Sequence, residues 1–197
     1  MSRFVLKDTY FKKAKQDGYR ARSAYKLKEI QTKFHLVKKG DRVLDLGCAP
    51  GSFLQVLSEI VGSEGSVVGI DILPTRPLPS KNVVALTRNI LDPGLEELLT
   101  SHAPHGFDVV TCDIAPNLSG IKEVDDKNVR DIYDAVRQVV AASLRREGGL
   151  VLKSFFSENL KGIQNDLKRL FKTVSIFKPA ASRSVSSEIY FVCLGKK

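Results

Sequence analysis

Apolar residues recur along this chain at two periods, and each change of period marks the start of a new element. Between Arg20 and Phe34 they fall at Leu27, Ile30 and Phe34 with Tyr25 beside them, one helical face on an otherwise basic segment. After Gly40 the pattern alternates. Short apolar runs at 42–46, 66–70, 82–87, 107–112 and 148–153 read as buried strands. Between them lie helical stripes at Phe53 to Val61, Leu95 to Leu99, Val129 to Leu144 and Leu160 to Leu170. Two last runs, 173–177 and 188–194, have no helical pattern between them and are expected to pair antiparallel at the end of the sheet. Strand and helix alternating in this way imply right-handed crossovers. The expected fold is α/β: a mostly parallel seven-stranded sheet with an antiparallel last strand and helices on both faces. One domain over 1–197 is expected, with a basic amino-terminal helical segment over about 1–40.

The 197 residues suffice for one packed core. The formal net charge is +9, a value that a merely soluble protein can also carry. Its distribution says more. Residues 1–42 hold 13 Lys and Arg against 4 acids, residues 43–144 hold 7 against 14, and residues 145–197 hold 11 against 4. Basic ends and an acidic middle suggest two different ligands on one domain. Cys48, Cys112 and Cys193 are far apart and, with His35, His102 and His105, form neither a disulfide framework nor a zinc pattern, so no metal is expected. No run of 18 apolar residues occurs, and charges stand where a signal peptide would need an apolar stretch, which points to a cytoplasmic protein without a membrane span.

Ligands of such sheets bind at the carboxyl ends of the strands, near the switch in strand order. The first of those ends reads Val43-Leu-Asp-Leu-Gly-Cys-Ala-Pro-Gly51. Its glycines are four apart and no G-K-[ST] follows, which excludes the dinucleotide fingerprint and the nucleoside-triphosphate loop. A tight turn remains, able to bring backbone close to a ligand without phosphates, or simply to connect strand and helix. Asp71 ends the second strand, where a carboxylate can accept both hydroxyls of a ribose; Asn89 ends the third, within reach of an adenine edge; Asp113 ends the fourth. Taken singly, each also fits a cap or a turn. Lys153 closes the apolar run Gly-Leu-Val-Leu, an expensive place for an unpaired charge.

These strand ends resemble those of S-adenosylmethionine-dependent methyltransferases. Asp113 to Gly120, Leu150 to Phe155, Ser182 to Tyr190 and the amino-terminal Gly18 to Leu27 resemble, in the same order, motifs of the FtsJ/RrmJ family of RNA 2′-O-ribose methyltransferases. The resemblance runs from about Tyr10 to Gly195. It implies a Rossmann-like methyltransferase fold, S-adenosyl-L-methionine as cofactor, and a catalytic tetrad at Lys26, Asp113, Lys153 and Glu188. It also implies a cofactor site built from Gly47, Ala49, Pro50, Gly51, Phe53, Asp71, Ile72, Asn89, Ile90 and Asp113. The chain departs from the bacterial pattern at Ser52 and Phe53, which replace Gly and Trp, and at Asn89, which replaces an adenine-facing Asp. Phe53 can still pack on a cofactor, and the Asn89 carbonyl can still accept from an adenine amino group.

Within this reading Lys153 takes the proton of the 2′-hydroxyl, Lys26 and Glu188 orient the hydroxyl and Lys153, and Asp113 holds the methionine amino group or favours the sulfonium. The basic ends suit phosphates, with Lys12, Lys13, Arg20 and Arg22 as RNA-binding candidates, Lys161, Lys168, Arg169 and Lys172 on a later helix, and Tyr10, Phe11, Tyr19 and Tyr25 placed to stack on unpaired bases. The implied substrate is a uridine of 23S-type RNA within the large ribosomal subunit, acted on by a monomer. Transfer RNA is the alternative substrate, and a non-catalytic RNA-binding assembly protein is the alternative class.

Overall fold

The computed structural model describes residues 9–116, 119–156, 159–183 and 186–197. Asn117, Leu118, Ser184 and Val185 of the quoted motifs lie outside them. Two amino-terminal helices, α1 (Thr9–Gln16) and α2 (Ser23–Phe34), precede an alternating series: β1 (Arg42–Leu46), α3 (Ser52–Val61), β2 (Ser66–Asp71), β3 (Val83–Thr87), α4 (Leu95–His102), β4 (Phe107–Cys112), α5 (Lys122–Ser143), β5 (Leu144–Phe155), α6 (Leu160–Leu170), β6 (Phe171–Phe177) and β7 (Glu188–Lys196). Strand order is β3-β2-β1-β4-β5-β7-β6, so the order reverses between β1 and β4. The first five strands of that order are parallel, and β7 runs antiparallel to both neighbours.

The fold matches the pattern of the sequence, with differences at element ends. α1 is a separate short helix, because Gly18 takes a left-handed turn (φ 77°) that α1 cannot continue through. β5 starts at Leu144 rather than at 148, since a register shift between Phe107 and Val109 lets β4 pair with Leu144 and then resume at Gly149. The final strand, β7, lies between β5 and β6, which leaves β6 at the edge.

Side chains alternate across the sheet with a period of two. Leu44, Leu46, Val68, Ile70, Val110, Cys112, Leu150 and Leu152 enter the core beneath α4, α5 and α6. Val43, Val67, Val109, Val151, Tyr190 and Val192 enter the core beneath α2 and α3. The same alternation directs Asp45, Thr111, Lys153 and Tyr190 to the α2–α3 side, the face that carries the polar cluster described below. α2 reaches this face with Ala24, Tyr25, Leu27 and Ile30 buried, and Lys26 is carried in among them, only 6% exposed.

Candidate active site

A cleft of about 500 Å³ opens at the carboxyl ends of the strands, at the switch in strand order, a size ordinary for a small-molecule site. Gly47, Ala49, Asp71, Ile72, Asn89, Ile90 and Asp113 line it, as expected from sequence, and Asp131, Ile132 and Ala135 of α5 close the far wall. Ile72, Leu73 and Leu91 are 67%, 61% and 66% exposed at its margin, apolar surface that a bound ligand would cover.

The two glycines of the first turn are required by the protein itself. Gly47 has φ 76°, and a Cβ there would lie 2.6 Å from the side chain and 2.9 Å from the backbone nitrogen of Ile114. Gly51 has φ 104°, and its Cβ would lie 2.8 Å from the guanidinium of Arg20. Asp71 secures the turn: one carboxylate oxygen accepts from the Ala49 N–H at 2.9 Å, the other from Leu73 N–H at 2.8 Å. A carboxylate has about four lone-pair sites, so acceptor capacity is left for ribose hydroxyls. The Asn89 side-chain oxygen Oδ1 accepts from Leu91 N–H at 3.0 Å, so the turn role and a place in the cleft coexist in one residue.

Pro50, Gly51 and Phe53 depart from the expected cofactor set. Phe53 is 3% exposed within the α2–α3 core, and none of the three lines the cleft. Phe53 is the first-turn apolar residue of α3, whose buried stripe packs into the core on this side of the sheet.

The four tetrad residues come together as two ion pairs. Lys26 Nζ lies 2.5 Å from Glu188 Oε1, and Lys153 Nζ lies 3.3 Å from Asp113 Oδ1 and 3.3 Å from its carbonyl. Antiparallel pairing of β5 with β7 produces this juxtaposition, setting Lys153 opposite Tyr190 and Phe155 opposite Glu188. Burial alone would raise the Glu188 carboxyl, but the hydrogen bond and charge of Lys26, with Ser182 and Lys153 nearby, hold it below the usual carboxylate range. Tyr190 links the pairs. Its ring lies 6.0 Å from Lys26 Nζ and its hydroxyl donates to Asp113 Oδ1 at 2.5 Å. Burial, followed by the adjacent Asp113 carboxylate, pushes that phenol well above its usual range, so it remains a donor. In sequence a tyrosine at the head of an apolar strand carries no sign of this contact.

Asp45 was also missed. It is fully buried on β1; Thr111 Oγ donates to its Oδ1 at 2.6 Å, and Oδ2 lacks a partner among the described residues. Burial pushes its carboxyl well above the usual range, and the charges of Asp113 and Asp71 add to this. A charge inside Val-Leu-Asp-Leu was the signal, the same one that drew attention to Lys153. A raised folded-state carboxyl favours the native state fully below the unfolded value and loses that contribution as pH rises toward the folded one. Asp45→Asn keeps the Thr111 bond and removes the charge. The melting temperature of the cofactor-free variant above neutral pH is therefore expected to equal or exceed wild type; a fall of several degrees would contradict this account.

Of the RNA-binding candidates, Lys12 and Lys13 are exposed on α1, and Arg22 is half-buried at the start of α2. Arg20 differs. Its guanidinium donates to the carbonyls of Pro50 at 2.9 Å, Arg76 at 2.6 Å and Pro77 at 2.8 Å, and so turns toward the cofactor loop. The expected stacking aromatics are largely taken up in packing. Tyr19 and Tyr25 are buried and donate to Glu59 and Asp17 at 2.7 and 2.6 Å, while Phe11 is 62% exposed. All three cysteines are free and buried, their thiols pushed up to about 12 by burial. Among the described residues no helix is long and apolar enough to cross a membrane.

The FtsJ-like methyltransferase family model matches residues 19–196. The ribosomal RNA large subunit methyltransferase E of Myxococcus xanthus is 39% identical over 97% of this chain and 90% of its own length. The protein of that name from Methanothermobacter thermautotrophicus is 37% identical over 94% of this chain and 88% of its own. Among solved structures, one titled as a ribosomal RNA methyltransferase from Plasmodium falciparum aligns with a TM-score of 0.80 at 27% identity, over 90% of this chain and 98% of that one. Fibrillarin from Aeropyrum pernix, solved with S-adenosyl-L-methionine bound, aligns with a TM-score of 0.58 at 18% identity over 87% of this chain and 73% of that one.

Proposed function

The chain belongs to the FtsJ-like methyltransferase family, and from that premise we propose that it transfers a methyl group from S-adenosylmethionine to a ribose 2′-hydroxyl of large-subunit ribosomal RNA. One observation carries the reading: Asp113 is at once a wall of the cleft and the partner of Lys153, so the cofactor site and the lysine cluster meet at a single carboxylate. The names of the relatives favour the ribosomal substrate over transfer RNA.

The cofactor supplies a methyl group on a cationic sulfur. Asp71 would accept from its ribose, Asn89 and Ile90 would flank its adenine, and Asp113 would face its positive charge. The chain's remaining task is to present the 2′-hydroxyl in line with the methyl group and to take its proton. Lys153 Nζ is the proposed acceptor, because it stands at the junction of cleft and cluster. The Lys26–Glu188 pair forms the other wall of the cluster and would accept from and donate to the ribose, fixing its orientation.

The test is transfer of labelled methyl by the full-length protein to large ribosomal subunits from cells lacking it, with mass spectrometry of the digested RNA. A single 2′-O-methylated nucleotide in large-subunit RNA is the expected product. Label in transfer RNA, or none in any RNA, would refute the assignment. Binding to the RNA is expected to weaken steeply with salt, log affinity falling by roughly 0.7–0.9 per log salt for each phosphate neutralised.

A further inference from the structure

We propose that Arg20 is a positioning residue for the cofactor: its guanidinium sets the spacing between the two walls of the cleft. The inference rests on the methyltransferase reading. One wall is formed by Gly47 and Ala49 in the turn after β1; the other by Asp71, Ile72 and Leu73 at the end of β2 and beyond it. Beyond Leu73 the second wall runs on without regular secondary structure, and Pro74, Pro77 and Pro79 there have no N–H to contribute to any backbone ladder. The Arg20 guanidinium ties together the two segments that bear these walls, with Nη1 donating to Pro50, next to Ala49, and to Arg76, three residues past Leu73, and Nη2 donating to Pro77.

The root of the arginine is equally fixed. Its N–H donates to Gln55 Oε1 at 2.9 Å, Gln55 Nε2 donates to the Gly18 carbonyl at 2.9 Å, and Ser23 and Ser52 hydroxyls lie 2.6 Å apart, docking the 18–23 segment on α3. Gly51 completes the arrangement, since a Cβ there would meet both Arg20 Nη1 at 2.8 Å and Thr75 Cγ2 at 3.1 Å. A planar fork can bridge three carbonyls on two segments; a lysine ammonium keeps the charge but not that geometry. Arginine on a basic segment invites a phosphate contact, and the two roles separate experimentally.

The experiment uses the full-length protein with Arg20→Lys, Arg20→Ala and Gln55→Leu, measuring S-adenosylmethionine affinity by calorimetry without RNA, and the affinity of a ribosomal RNA fragment across a salt series. Both Arg20 variants are expected to weaken cofactor binding by about tenfold or more, and Gln55→Leu in the same direction by less, with the RNA salt slope unchanged for Arg20→Lys. Cofactor affinity within about twofold of wild type in all three overturns the inference. So does a salt slope reduced by about one in Arg20→Ala with cofactor affinity intact, which would make Arg20 a phosphate contact. Wild-type protein that binds no S-adenosylmethionine would instead refute the methyltransferase reading itself.

Discussion

Lys153→Met is expected to lower methyl transfer at saturating cofactor and RNA by about three orders of magnitude, the range of a positioned general base. The side chain is 9% exposed and its Nζ is held by two oxygens of Asp113, so the amine sits where the cleft meets the cluster. Met fills nearly the same volume with no donor or acceptor, so loss of rate with cofactor affinity within about threefold would isolate the chemistry from the fold. Arg supplies the sharper comparison. A guanidinium remains protonated at any working pH and cannot accept the hydroxyl proton, yet it retains the positive charge beside Asp113. Lys153→Arg is therefore expected to be about as inactive as Lys153→Met. Turnover in Lys153→Arg above roughly a tenth of wild type would mean that Lys153 acts through its charge, and the proton goes elsewhere.

Periodicity made the fold legible because the central parallel strands β1, β2 and β4 are buried on both faces and the helices between strands carry apolar stripes; the strand ends then followed from topology. Lys153 was legible for a related reason, since a charge closing an apolar run needs a partner. The same logic applies to Asp45, whose burial depends on Thr111 across the sheet, a pairing of β1 with β4 that lies 66 residues away in the chain. The surroundings of Phe53 and Arg20 were not legible in the sequence, for opposite reasons. An aromatic beside a ligand turn and an arginine on a basic segment each have an outward reading, and only packing shows that the α3 stripe turns Phe53 into the core and that three loop carbonyls draw Arg20 inward. Tyr190 shows the limit most clearly. Its identity suits a buried strand, and its place in the cluster arises from register: Lys153 stands opposite it on β5, and Asp113, just after β4, accepts a hydrogen bond from its hydroxyl.

Glu188→Ala is expected to destabilise the protein by about 3–5 kcal/mol, a fall in melting temperature of roughly 10 °C for a chain of this size. Lys26 and Glu188 have side chains only 8% and 10% exposed, so deleting the carboxylate leaves an ammonium desolvated beside the Tyr190 ring without its counter-charge. Lys26→Met should cost less, because the remaining carboxylate still has Ser182 and Lys153 near it. Replacing both residues with apolar ones of similar volume, Lys26→Met with Glu188→Leu, removes both desolvation penalties at once. The double variant is expected to regain wild-type stability while methyl transfer stays at least about a hundredfold down, because a packed apolar pair cannot orient a hydroxyl. Two results would contradict this. Single variants within about 1 kcal/mol of wild type would mean the pair is effectively solvated, and a double variant that still turns over would mean the pair holds the fold and not the substrate. The physical argument favours chemistry: an apolar pair would serve stability as well or better, so a buried ion pair 2.5 Å apart, close to the Lys153–Asp113 pair at the cleft wall, is the arrangement expected of groups kept for a reaction.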